Sequence, residues 1–132
     1  MENYFELAME PGPLHEISSI ALAHLGDAVY EVLVRSWLCV HGKATGKGLH
    51  RATLVCAPEQ ARRAERILPE LTEEELAVFR RGRNAHVHSI PQNASRGEYQ
   101  TATALEALFG YLYLLGRRDR INALFVKMME ET

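Results

Sequence analysis

The chain lacks the features that mark secreted and membrane proteins. Its 132 residues include only two cysteines, Cys39 and Cys56, which form no C-x-x-C pair. Both are therefore expected to be small buried hydrophobes in a reducing compartment, and a disulfide framework is disfavoured. No run of about eighteen uncharged apolar residues could span a membrane. The N-terminus is acidic and is interrupted by Pro11 and Pro13, so no standard secretory signal is predicted. These absences indicate a soluble cytoplasmic protein.

A surplus of positive charge is also missing. The formal net charge is -2, with 15 Lys and Arg against 17 Asp and Glu. Because non-specific nucleic-acid affinity comes chiefly from Lys and Arg at phosphates, this balance argues against a general polyanion binder. The interval from Arg80 to Arg96 nevertheless contains four arginines and no acid. One local basic surface on an otherwise acidic body is therefore possible.

Strand alternation is missing as well, and the spacing of apolar residues predicts a single all-α domain. Ser18 or Ser19 can cap a first long helix that runs to about Val40. The sequence TEEEL at residues 72–76 is typical of a capping box. A long apolar helix, YQTATALEALFGYLYLL, is expected to end at Gly116, and an amphipathic helix follows it.

Two of these apolar helices each carry one carboxylate beside small residues. Asp27 follows Gly26 in LAHLGDAVYEVLVRSW, and Glu106 lies between Thr103 and Gly110 on one face of the long apolar helix. A carboxylate taken out of water costs several kcal/mol or more unless a cation compensates it. If Asp27 and Glu106 meet, their all-oxygen ligand set suits Mg²⁺, or Mn²⁺ as a substitute, better than zinc.

The alternative is that each acid is solvated or forms an ion pair. Glu31, one turn beyond Asp27, can pair with Arg35 at the favourable i, i+4 spacing. Arg35, or an arginine within residues 80–83, could equally pair with Asp27 or Glu106. The residues alone leave this choice open.

The motifs around the two carboxylates resemble the ribonuclease III family. LGDAVYE is similar to that family's signature helix, and ALEALFGYLYL is similar to its other conserved helix. FRRGRNA, at residues 79–85, resembles in particular the short mini-ribonuclease III branch, which lacks a double-stranded-RNA-binding domain. The resemblance covers about residues 17–118. We therefore expect an N-terminal extension at residues 1–16 and one catalytic domain at residues 17–132.

The resemblance implies the all-α ribonuclease III endonuclease-domain fold in a homodimer, with Asp27 as the catalytic aspartate and Glu106 as a metal-binding glutamate. Ala23 and Thr103 stand where full-length ribonuclease III usually has two further acids, so the number of metal ions stays open. Gly26, Glu31, Arg35 and Thr103 are the expected supporting residues. The apolar surface of the first helix, including Trp37, can serve either as the dimer interface or as plain core.

The activity implied by the resemblance is Mg²⁺-dependent cleavage of double-stranded RNA, leaving 5′-phosphate and 3′-hydroxyl ends. The implied cellular task is maturation of the precursor of large-subunit (23S) ribosomal RNA, with a ribosomal protein on the substrate as a further partner. The alternative is a catalytically idle module of the same fold that binds RNA or a protein.

Several polar residues outside the carboxylate pair are candidates for contact with RNA or for purely structural roles. Guanidinium and amide groups before a loop suit phosphates and 2′-hydroxyls, although helix capping and a solvated surface are the simpler roles. The RNA-binding candidates are Arg80, Arg81, Arg83, Asn84, Lys43 and Lys47. A solvated helix face is expected for Arg62, Arg63 and Arg66, and the H-x-H pair His86 and His88 is expected to lie in a loop without zinc.

Overall fold

Helices account for the architecture of the chain in a computed structural model that describes residues 2–41, 54–85 and 94–130. The six α-helices assigned in these ranges are α1 (Pro11–His15), α2 (Ser19–Val40), α3 (Ala57–Ala64), α4 (Glu73–Arg83), α5 (Arg96–Leu115) and α6 (Arg118–Met129), with a 3₁₀ turn at Leu68–Glu70. No strand occurs in the described ranges, so the all-α prediction is confirmed. None of the helices there has the length and apolar character that a membrane span requires.

The ends of the long helices follow from local signals in the sequence. The Ser18 hydroxyl accepts a hydrogen bond from the Ala21 backbone at 3.1 Å and begins α2, as predicted. Helix α5 begins earlier than expected because Ser95 and Glu98 form a second capping box. Gly116 ends α5 in the left-handed conformation with φ 88°, which a glycine adopts without steric cost.

Helix α5 is the central element of the fold. It packs against α1, α2, α3, α4 and α6, and its side chains from residue 102 to residue 112 are buried with one exception. That exception is Glu106, which is partly exposed. A carboxylate therefore interrupts the helix that forms the hydrophobic core.

Helices α2 and α5 cross at a pair of opposed glycines. A Cβ atom on Gly26 would lie 1.6 Å from the backbone oxygen of Glu106, and one on Gly110 would lie 2.1 Å from the backbone oxygen of Leu22. Each glycine is therefore needed because the other helix's backbone occupies the space of a side chain. Gly26 therefore leaves room for the backbone of α5, and this close approach brings Asp27 and Glu106 to the same place.

The first residues of the chain pack on this helical body. The Met9 backbone donates to the Leu114 oxygen at 2.7 Å, and the Leu14 side chain is fully buried in the core. The expected division at residue 16 stays a prediction. The described part of the extension contributes to the same hydrophobic core as the domain.

Two expectations about individual side chains are wrong. Arg63 is only 2% exposed, and both Arg63 and Arg66 donate to the Met128 oxygen at 2.9 Å, so they join α3 to the end of α6 and do not form a solvated face. Cys39 and Cys56 are exposed. Helix α2 turns Cys39 outward, and Cys56 precedes the first turn of α3, so neither fills the core.

Candidate active site

Asp27 and Glu106 meet at the crossing of α2 and α5. Their side chains line one wall of an open cleft of about 340 Å³ and lie within hydrogen-bonding reach of each other. Ile20, Ala23, His24, Tyr99 and Thr103 complete the lining of this carboxylate cleft. Two acids that are 79 positions apart in the sequence are thus presented together to solvent.

The surroundings of Glu106 disfavour its charged form. The pKa of Glu106 is raised to about 8, first by burial and then by the hydrogen bond and like charge of Asp27, while the Gln60 amide acts to lower it. Within the described ranges, none of the groups that act on this pKa is a cation. These surroundings favour the neutral form of Glu106, whereas a bound cation would favour its ionised form.

Glu106 also lines a second cleft, of about 290 Å³. Gln60 of α3 and Tyr99 of α5 both contribute to this amide cleft. Gln60 is 2% exposed, and its Nε2 has no hydrogen-bond partner of acceptable geometry among the described residues. The amide is close enough to influence Glu106 but does not complete a hydrogen bond to it.

The other predicted supporting residues have structural contacts. The Arg35 guanidinium donates to Glu31 at 3.0 Å, so the expected ion pair is present on the outer face of α2. Thr103 lines the carboxylate cleft, but its hydroxyl donates to the Tyr99 backbone oxygen at 3.0 Å. Neither Glu31 nor Arg35 lines that cleft.

The predicted RNA-binding residues at the end of α4 are all exposed, and none of them lines the carboxylate cleft. They are Arg80, Arg81, Arg83 and Asn84. Gly82 between them is buried against α5, where an added Cβ atom would lie 2.8 Å from the Ala107 side chain. This contact places the arginine-rich end of α4 beside the α5 segment that carries Glu106. Lys43, Lys47, His86 and His88 lie outside the described residues.

The residues present fit a divalent cation with oxygen ligands. No group of three His, Cys, Asp or Glu residues arranged to hold a metal occurs in the part of the chain that the structure describes. Two carboxylates and an open cleft nevertheless match Mg²⁺, which keeps several waters and takes one or two carboxylates from the protein. Asp27 and Glu106 are the groups that would hold it.

Gln60 and Tyr99 are the cleft residues that the sequence interpretation missed. A signal for Gln60 does exist, because residues 60, 64 and 67 share one helical face and the other two are Ala64 and Ile67. A glutamine on an apolar face indicates a polar partner inside the fold. Tyr99 carries no comparable signal, because an aromatic residue at the start of an apolar helix is ordinary core.

Comparison with known proteins places the chain in a family. The family model for the ribonuclease III domain matches residues 20–117. A protein described as Mini-ribonuclease 3 from Symbiobacterium thermophilum is 46% identical over 105 residues, covering 78% of this chain and 81% of that relative. Another of the same description, from a Thermoanaerobacter species, is 37% identical over 131 residues, covering 96% and 92%.

Solved structures agree with the sequence matches. A crystal structure of a protein from Fusobacterium nucleatum superposes with a TM-score of 0.75 at 27% identity, covering 88% of this chain and 95% of that one. The matched family region contains both Asp27 and Glu106. The chain therefore belongs to the ribonuclease III family and, within it, to the mini-ribonuclease III branch.

Proposed function

We propose that this chain is a Mg²⁺-dependent endoribonuclease that cleaves double-stranded RNA at the carboxylate cleft. The observation that carries the proposal is the meeting of Asp27 and Glu106 without a cationic partner in the described chain. Two acids at a partly buried crossing destabilise the fold when both are ionised, so their presence is best explained by a ligand that needs them. Membership of the ribonuclease III family supports RNA as the substrate.

The chain's own groups would position the reacting parts. Asp27 and Glu106 would hold the ion, and the contact of Gly26 with Gly110 sets the spacing between their helices. A bound Mg²⁺ would supply polarisation of a phosphate oxygen and a water of lowered pKa. The backbone hydrogen bond of Thr103 keeps that side chain in one rotamer beside Glu106.

RNA would be held by the exposed end of α4. Arg80, Arg81 and Arg83 present guanidinium groups beside Asn84, a composition that suits phosphates and 2′-hydroxyls of an A-form duplex. Contacts of this kind read the shape of the duplex. Lys43 and Lys47 belong to the same proposed set.

A second copy of the chain would cover an apolar surface on α2. Aliphatic side chains of α2, with Phe5 and Tyr113, line a groove of about 400 Å³, and Val32 in this groove is 64% exposed. Family membership supports a homodimer, and two copies would supply one cleft for each RNA strand. Trp37 does not line this groove and instead stacks on His41 with ring centroids 4.2 Å apart.

Product ends and cellular substrate follow the family resemblance. The proposed products carry a 5′-phosphate and a 3′-hydroxyl, and the proposed substrate is the precursor of 23S ribosomal RNA, with a ribosomal protein bound to it. Cleavage of a precursor fragment at one position, enhanced by added ribosomal protein, would support this assignment. Indiscriminate cutting of any duplex under both conditions would contradict it.

The proposed activity is tested by removing each carboxylate charge while keeping its shape. Asp27→Asn and Glu106→Gln should each slow Mg²⁺-dependent cleavage of a labelled RNA duplex by at least about 100-fold, because several kcal/mol of transition-state stabilisation are lost. Asp119→Asn, at an exposed position of α6, is the matched control and should cut normally. Undiminished cleavage by both variants would overturn the proposal, and duplex binding without turnover by the wild type would favour the idle module.

The proposed dimer is tested with two exposed valines on different faces. Val32→Glu places a charge in the apolar groove and should give a monomer in sedimentation analysis. Val126→Glu, at a site 51% exposed outside the groove, should leave the mass unchanged. A dimer that survives Val32→Glu, or a wild-type monomer, would contradict this interface.

A further inference from the structure

Among the polar groups of the described structure, the buried amide of Gln60 is the one that the packing of the fold explains least. Its Nε2 is the buried side-chain polar atom without a hydrogen-bond partner in the described ranges. Leaving a buried donor unpaired destabilises the folded state. An unpaired donor in a helix that is otherwise well anchored indicates a role beyond folding.

The position of Gln60 on α3 identifies the group it faces. Gln60 and Glu106 line the same amide cleft, and the amide already acts on the Glu106 carboxyl. Asp27 lines the carboxylate cleft and not the amide cleft. The Glu106 side chain therefore borders both the cleft that contains a second acid and the cleft that contains a hydrogen-bond donor.

The rest of α3 is held in place independently of Gln60. Arg63 donates to the Met128 oxygen at 2.9 Å and to Glu59 at 2.8 Å, which ties the helix to α6 and to its own first turn. Ala64 is fully buried. The amide is thus carried on a rigid element, as a group that must orient a neighbouring ligand should be.

The chemistry of a carboxylate ligand explains the free donor. A Glu106 carboxylate that holds a cation together with Asp27 would direct one of its two oxygens to the ion. Its other oxygen then requires a donor, as metal-bound carboxylates usually have.

From this geometry we infer that Gln60 is a positioning residue, whose Nε2 donates to the outer oxygen of Glu106 when the carboxylate pair binds a divalent cation. The inference rests on the proposed function, since it requires Asp27 and Glu106 to hold a metal ion. Gln60 acts through Glu106 and does not touch the RNA.

The test measures Mn²⁺ binding to the full chain by calorimetry in the absence of RNA, beside the melting temperature without metal. Gln60→Met keeps the volume and removes the donor. We expect it to weaken Mn²⁺ binding about 10–100-fold, as loss of such a supporting contact does. We expect the melting temperature without metal to stay the same or rise, because a buried unpaired donor is gone. Gln100→Met, at a partly buried position of α5, is the control for the general effect of replacing glutamine with methionine.

A double variant checks that the effect passes through Glu106. In a Glu106→Gln background, Gln60→Met should weaken Mn²⁺ binding no further, because the carboxylate that the amide supports is already absent. Additive losses would overturn the inference, because they would show that the amide acts on the ion by another route.

The remaining outcomes separate this inference from the function on which it rests. Unchanged Mn²⁺ affinity in Gln60→Met, with wild-type binding that Asp27→Asn abolishes, would overturn the role of Gln60 and leave the proposed function standing. A metal-free melting temperature clearly below that of Gln100→Met would assign Gln60 to folding and also overturn it. Wild-type protein that binds no Mn²⁺ at Asp27 would overturn both proposals.

Discussion

Glu75 and Glu106 lie on neighbouring helices, the first buried and the second partly buried, but their carboxyl groups meet opposite surroundings. Arg120 of α6 donates two hydrogen bonds of 2.8 Å to Glu75, and this contact lowers the pKa of Glu75 despite its burial. Glu106 instead faces Asp27, and its pKa rises. The comparison teaches that burial alone does not mark a functional acid, whereas burial beside a second acid does.

The largest expected effect comes from removing the cation that compensates the charge of Glu75. Glu75 would then resemble Glu106, on whose pKa no cation acts within the described residues. Arg120→Met removes the cation from a carboxylate that is 2% exposed, and should cost about 3 kcal/mol of unfolding free energy at pH 7. Urea denaturation measures this loss. Lys127→Gln removes the cation of an exposed pair with Glu70 and should cost less than about 1 kcal/mol.

The sign of the pH dependence sharpens this test. Because the folded pKa of Glu75 is lowered from 4.5, its ion pair stabilises the protein above that value, and the contribution is lost as the pH falls through the folded pKa. The penalty of Arg120→Met should therefore shrink between pH 7 and pH 4. An equal penalty at both values would show that the pair is not the cause.

The next effect concerns the helix crossing that forces Asp27 and Glu106 together. Gly110→Ala would place a Cβ atom 2.1 Å from the Leu22 backbone oxygen, so the helices must separate, at a cost of about 3 kcal/mol. Gly97→Ala on the same helix meets only the Ser95 hydroxyl, at 4.0 Å, and should change stability by less than about 1 kcal/mol. Similar stabilities for the two variants would contradict a tight crossing.

A smaller effect distinguishes Glu75 from Glu106 by how the stability of their Glu→Gln variants depends on pH. The folded pKa of Glu106 is raised from 4.5 to about 8. The contribution of protonated Glu106 to the stability of the folded protein is therefore fully present below pH 4.5 and is lost as the pH rises through 8. Glu106→Gln cannot ionise, so it should gain stability relative to the wild type between pH 5 and pH 9. We expect a gain of about 2 kcal/mol, because the partial exposure of Glu106 reduces the roughly 1.4 kcal/mol that each pKa unit is worth. Glu75→Gln should show no such trend over this range, because the lowered pKa keeps Glu75 ionised throughout. Parallel curves for the two variants would contradict the assignment.

The smallest effect belongs to the acid that looks equivalent to Asp27 in the sequence. Glu31 and Arg35 form an ion pair on the outside of α2, where the Arg35 side chain is 65% exposed. Arg35→Gln should cost only about 0.3–0.5 kcal/mol, because exposed pairs at i, i+4 spacing gain little over hydration. Thermal denaturation at low and high salt measures this loss of stability. A loss above about 1 kcal/mol would show that the pair stabilises the fold more than an ordinary exposed ion pair does.

Much of this arrangement could be anticipated from the residues. The cap at Ser18, the end of α5 at Gly116 and the pair of Glu31 with Arg35 depend on neighbours within one helical turn, and all three are observed. The burial of Arg63 and the exposure of Cys39 were predicted wrongly. Both depend on which face of a helix meets another element, and α3 has polar side chains on the face that it buries.

The sequence by itself determined where the principal helices begin and end and which of them carry isolated carboxylates, because caps, glycines and apolar periodicity act over three or four residues. Only the tertiary structure decided which charges meet. Glu75 and Arg120 are 45 positions apart, and Glu106 joins Asp27 and Gln60 from two other helices. Desolvation and Coulomb energies depend on separation in space, and the packing of α2, α3 and α6 on α5 sets that separation. The same residue type is thereby a structural ion-pair partner on α4 and a candidate metal ligand on α5.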